Sequence, residues 1–106
     1  MIYKVSARFR EESAAEFLLK LQDGSISSQQ PDGAEMVDSM NRAVVTESGE
    51  VEWSERCYCS PPLEHERRTV LDHYFSDLST EAIDGYKDYL GLPFMDYLAQ
   101  LAEPPS

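Results

Sequence analysis

The sequence predicts an α+β fold: a small antiparallel sheet with helices packed on one face, in the order β-α-β-β-α-(β), followed by a C-terminal helix. Three observations predict it. Residues 2–9 alternate, with Tyr3, Val5, Ala7 and Phe9 on one side and Lys4, Ser6 and Arg8 on the other, the period of a half-buried strand. Residues 42–59 place two further strand-like runs around a Glu47-Ser48-Gly49-Glu50 turn, the pattern of a β-hairpin. Between and after these runs, apolar residues recur at helical spacing.

The first strand leads into Ser13-Ala14-Ala15-Glu16, a capping-box pattern in which Ser13 and Glu16 satisfy each other's free amides. Ala14, Phe17, Leu18 and Leu21 then fall on one face, which predicts a helix over 12–22. Residues 23–33 carry an Asp-Gly pair at each end and read as a long loop. Residues 34–40 fit a short helix but are ambiguous. Arg42–Thr46 and Val51–Cys59 are the arms of the hairpin. Val51, Trp53, Glu55, Cys57 and Cys59 share one face of the second arm.

Ser60-Pro61-Pro62 predicts a helix start, with Ser60 as cap and proline in the first turn. Leu63, Val70, Leu71, Tyr74, Phe75 and Leu78 form its apolar arc. Residues 79–90 divide the two signals. Ala82, Ile83, Tyr86, Tyr89 and Leu90 fit a helical face, whereas a strand over Thr80–Ile83 completes the sheet order. Pro93 opens the last helix, with Phe94, Met95, Leu98 and Leu101 inward. The domain spans 1–102 and residues 103–106 read as a frayed tail.

The chain has 106 residues, 20 of them Asp or Glu against 9 Lys or Arg, for a formal charge of −11. That length fits one domain, and its patterned apolar content of 42% is too high for a disordered acidic tail. The acidity argues against nucleic-acid and membrane-surface partners, because both require clustered Lys and Arg. Lys4, Arg8 and Arg10 make the first strand basic, and the acid excess lies in the rest. Neither a signal-peptide pattern nor an apolar run of membrane length occurs, and two cysteines are too few for a disulfide scaffold. The expected compartment is the cytoplasm.

Four constellations carry potential chemistry. Cys57 and Cys59 lie on one strand face with His65 close behind, which places three donors of zinc-ligand type together. A structural site needs a fourth, so the favoured reading is two core thiols and no metal or cofactor. Glu55 is the one charge on the apolar face of its strand, and Arg67 lies within the apolar arc of its helix; the two are expected to meet as a buried ion pair, or Arg67 to hold an anion. His65, Thr69, Asp72 and His73 fall on the outer helix face, with Glu64–Arg68 and Arg68–Asp72 as i,i+4 pairs. The aromatics cluster late, and Tyr86, Tyr89 and Tyr97 are candidates for a partner-binding surface.

The strand and helix order resembles the ferredoxin-like plan in outline, a resemblance that implies no particular activity. Phosphate-loop, metalloprotease and nucleophile-elbow motifs do not occur, and no catalytic residue is assigned. The leading expectation is a non-catalytic interaction or regulatory module that binds a protein partner or self-associates, as a homodimer for example. The alternatives are a small enzyme or ligand-binding domain with a pocket near Arg67 and the 23–33 loop, and a nucleic-acid mimic that binds a basic protein.

Overall fold

A computed structural model describes residues 1–103. Strand β1 (Ile2–Phe9) is the centre of the architecture because it is hydrogen-bonded on both edges. It pairs antiparallel with β3 (Val51–Arg56) on one side and with β4 (Phe75–Ile83) on the other. Beyond β3 lie the two-residue strands β2 (Val44–Val45) and β5 (Leu92–Pro93). The result is a five-stranded antiparallel sheet in the order β4-β1-β3-β2-β5.

The register sets Val5 opposite Trp53, Ala7 opposite Val51, and Tyr3 opposite Glu55, so the alternation read in both strands places these residues on one face. Helices α1 (Ala14–Gln22), α2 (Gly33–Arg42) and α5 (Phe94–Ala102) send Phe17, Leu21, Met36, Met40, Phe94 and Leu98 into the same core. Phe17 stacks on Tyr74 at 4.5 Å and meets Phe75 edge-on at 5.8 Å. A fourth helical stretch is composite: α3 (Glu64–Glu66), a π-helical segment (Arg67–Leu71), and α4 (Asp72–Tyr74) run on without a break.

Several local expectations are corrected. Ser13 ends a 3-10 turn (Glu11–Ser13) and makes no side-chain cap bond. Instead the Arg10 amide donates to the Tyr74 carbonyl at 2.8 Å, which ties the end of β1 to the end of α4. The ambiguous 34–40 run is helical. Gly33 begins it because a Cβ there would sit 2.1 Å from the Ile26 carbonyl oxygen, so the preceding loop closes tightly on the helix start. Strand β2 is far shorter than Arg42–Thr46, since Arg42 is the last residue of α2. The second hairpin arm stops at Arg56, and Ser60 does not cap a helix. The turn into α3 is made by Leu63, fully buried in a left-handed conformation with φ 61°. Leu101 is partly exposed rather than inward.

The divided signals at residues 79–90 resolve toward the strand expected over Thr80–Ile83, which begins earlier, at Phe75. The helical arc that included Phe75 and Leu78 breaks at Tyr74, and Phe75–Ile83 is strand. The physical reason is the free edge of β1. Pairing there from Ile2↔Ile83 to Phe9↔Phe75 satisfies a long run of backbone groups, which outweighs local periodicity. Asp77, at φ 52°, lies where the register shifts opposite Ser6 and Arg8. Residues 84–91 are not helical and cross the face of the sheet opposite the core. There the Lys87 amide donates to Ser54 Oγ at 3.1 Å, the Ser54 hydroxyl lies 3.2 Å from Tyr89 Oη, and the Lys4 ammonium sits 5.2 Å from the Tyr89 ring. Beyond Glu103, the expected tail lies outside the described residues. No helix among the described residues is long and apolar enough to cross a membrane.

Candidate functional site: a thiol and carboxylate cluster beneath a cleft

Where β3 ends, the chain leaves the sheet through Cys57 and Cys59 and passes over the start of α3. The Cys57 amide still donates to the Met1 carbonyl at 2.9 Å, which holds this exit against the end of β1. Cys57 is buried and Cys59 half-buried, and both thiols are free. The two sulfurs converge on one oxygen. Glu66 Oε2 lies 3.7 Å from Cys57 Sγ and 3.8 Å from Cys59 Sγ. Glu66 is 0% exposed, and its second oxygen, Oε1, is buried with no hydrogen-bond partner among the described residues.

Glu55, also 0% exposed, lies in the core nearby. Its Oε1 accepts the Trp53 indole N–H at 2.8 Å, while Oε2 is buried without a partner. Burial pushes the Glu55 carboxyl well above the usual Glu range, and the Glu66 charge adds to the shift. Burial also raises Glu66, helped by the negative charge of Asp32. The Cys57 thiol is pushed up to about 11, again chiefly by burial, although amide donors from Cys59 and Leu63 pull the other way. Asp32, at the start of α2, accepts from His65 Nδ1 at 2.8 Å rather than capping its own helix.

Above the cluster opens a cleft of about 520 Å³, lined on one side by Asp32, Ala34, Glu35 and Asp38, and on the other by Arg56, Tyr58, Cys59 and Glu66. Tyr58 is 83% exposed. Glu35 is heavily engaged. Its Oε2 accepts from the Arg56 amide at 2.8 Å, Tyr86 Oη at 2.7 Å and Arg42 at 3.3 Å.

The structure does not bring Glu55 and Arg67 together. Glu55 is buried as its strand position implies, but Arg67 is half-exposed and pairs with Asp72 at 3.2 Å. The π-helical segment is the reason. Its wider turn brings residues five apart together, so Arg67 takes the Asp72 carboxylate expected to pair with Arg68, and the inward charged position is held by Glu66 in the turn before. An anion site at Arg67 beside the 23–33 loop is not formed either. Arg67 lines a shallow depression with Pro61, Pro62 and Asp72, while Ser25, Ile26 and Gln29 line a separate pocket against Val70 and Tyr74.

His65 is not the third ligand-type neighbour of the two cysteines, nor does it share a site with Asp72; it belongs to Asp32. The three tyrosines each turn the hydroxyl to a partner inside the molecule. Tyr86 donates to Glu35, with the Arg42 guanidinium 4.5 Å from its ring centre, Tyr89 meets Ser54, and Tyr97 donates to Glu11 at 2.5 Å. Glu66 and Asp32 escaped the sequence reading. A signal for Glu66 existed: it stands three residues after Leu63 and four before Val70, on the apolar stripe of its helix.

Comparison with family models, with curated proteins and with solved structures finds no match to this chain.

Proposed function

We propose that this protein is a small non-catalytic binding module whose working face is the cleft over Cys57, Cys59 and Glu66, and that its partner is a protein presenting a basic, extended segment. The observation that carries this reading is the cleft itself. It joins an exposed tyrosine ring, Tyr58, to an acidic wall in which Asp38 is exposed and makes no ion pair among the described residues. A tyrosine ring beside an unpaired carboxylate is a combination that receives a Lys or Arg side chain, through the ring face and through charge. His65 is held by Asp32 instead of a thiol, which leaves Cys57 and Cys59 without a neighbouring imidazole and favours binding over Cys–His nucleophilic catalysis.

The strand order β4-β1-β3-β2, with helices between β1 and β2 and between β3 and β4, supports a ferredoxin-like plan extended by β5 and α5. Two free thiols close together suit a reducing compartment, which supports a cytoplasmic setting.

Titration of the labelled protein with a Lys/Arg-rich peptide tests the proposal. The expected result is a localised set of amide shifts at Ala34, Asp38 and Tyr58, abolished by Ala34→Trp, which fills the cleft mouth. Shifts spread evenly over all acidic surfaces would overturn it and favour the nucleic-acid mimic.

A further inference from the structure

We propose that Cys57, Cys59 and Glu66 form a binding site for one thiophilic divalent cation, zinc by its chemistry, with the remaining coordination position facing the cleft. The site lies at the floor of the proposed binding face and does not depend on what occupies the mouth.

The two sulfurs and a Glu66 oxygen lie within 4.8 Å of one another, and both sulfur-to-Oε2 separations are 3.7–3.8 Å. A tetrahedral zinc with bonds of about 2.3 Å to sulfur and about 2.1 Å to oxygen has sulfur-to-oxygen edges of about 3.6 Å. The three donors therefore stand close to ligating positions without rearrangement of the backbone.

Two further observations point to a cation. Glu66 is fully buried, and its Oε1 has no partner, an arrangement that costs free energy unless a positive charge or proton sits beside it. No Lys or Arg lies on this carboxylate; its polar neighbours are weak thiol donors, its own backbone amide, and the acids Glu55 and Asp32, of which Glu55 shares a hydrogen bond with it. In addition, the Cys59 amide donates to Cys57 Sγ at 3.1 Å, and the Leu63 amide points to the same sulfur. Amide donors aimed at sulfur stabilise a thiolate more than a thiol. The left-handed turn at Leu63 is what aims the second one.

Asp32, oriented by His65, stands beside Glu66 at the cleft wall, the place of an outer carboxylate next to the metal ligands. Thiolates select zinc over calcium or magnesium, which take six or more oxygens. Binding exchanges the two thiol protons, released to solvent, for two metal–sulfur bonds, with no change of oxidation state.

The test is a cobalt titration of the reduced full chain with no peptide present, so that it reads the floor of the cleft alone. The expected result is one Co²⁺ per chain, with a thiolate-to-cobalt charge-transfer band and intense tetrahedral visible bands, both bleached by equimolar Zn²⁺. Cys59→Ser, at the half-buried and more tolerant position, is expected to halve the charge-transfer intensity. Glu66→Gln is expected to weaken cobalt binding by about tenfold or more, while His73→Asn, away from the cluster, leaves it unchanged. A folded, reduced protein with no charge-transfer band overturns the proposal, as does a band that Cys59→Ser leaves at full intensity. Peptide binding that survives such a failure would leave the cleft reading in place.

Discussion

Trp53 and Glu55 sit two residues apart on the core face of β3, and the indole N–H of the first is the hydrogen-bond donor held by the carboxyl of the second, at 2.8 Å. A strand places i and i+2 on one face, so a carboxyl at Glu55 enters the core wherever Trp53 does. That single relationship makes the interior of this protein sensitive to pH.

The folded protein holds a proton on Glu55 more tightly than the usual value of 4.5, because burial disfavours the charged form. A raised carboxyl pKa contributes stability that is complete below the unfolded value and is lost as pH rises through the folded one. Stability is therefore expected to fall as pH rises above the usual Glu range. Glu55→Gln keeps the shape and removes the larger part of that slope, and Glu66 supplies the residue of it. Urea unfolding of both proteins over rising pH checks the point; parallel slopes would show that Glu55 is not the source.

Ser54 points away from the core and fastens residues 84–91 to the back of the sheet through Lys87 and Tyr89. Ser54→Val is expected to cost about 1 kcal/mol for the lost hydrogen bonds. Hydrogen exchange should quicken across 84–91 while the amides of β1 remain protected. Uniform acceleration along the whole chain would contradict this local role.

Gly91 and Gly85 form a matched pair. A Cβ on Gly91 would lie 2.4 Å from the Val45 carbonyl oxygen, whereas one on Gly85 would meet nothing within 4 Å. Gly91→Ala is expected to destabilise by about 2 kcal/mol, since the short β2–β5 pairing must move apart. Gly85→Ala is expected to be close to neutral. Thermal unfolding of the two variants side by side decides it, and equal melting temperatures would remove the steric argument.

Arg67 pairs with Asp72 on the surface, with 42% of its side chain exposed. Arg67→Ala is therefore expected to shift stability by no more than about 0.5 kcal/mol. A loss of several kcal/mol in chemical denaturation would instead restore a buried ion pair.

The sequence by itself determined β1, the hairpin, α1 and the last helix, because each carries a period that depends only on which of its residues meet the core. Tyr3, Val5 and Ala7 need no partner to reveal a strand, and Phe17 and Leu21 need none to reveal a helix. It also placed Glu55 on the inward face by simple alternation, whereas Cys57 and Cys59 lie beyond the strand, which ends at Arg56. Tertiary structure decided the rest. Residues 75–83 satisfy a helical pattern locally and became a strand because β1 offered an open edge to pair with. Arg67 left the apolar arc because one π-helical segment sets it against Asp72, whereas Glu66 faces inward at the ordinary helical spacing from Leu63 and Val70. Asp32 reached His65, 33 positions along the chain, only because α2 and α3 pack beside the same strand exit. Side-chain periodicity reports which way a residue faces, whereas a site is assembled from separate segments, and their meeting is set by packing that no single segment contains.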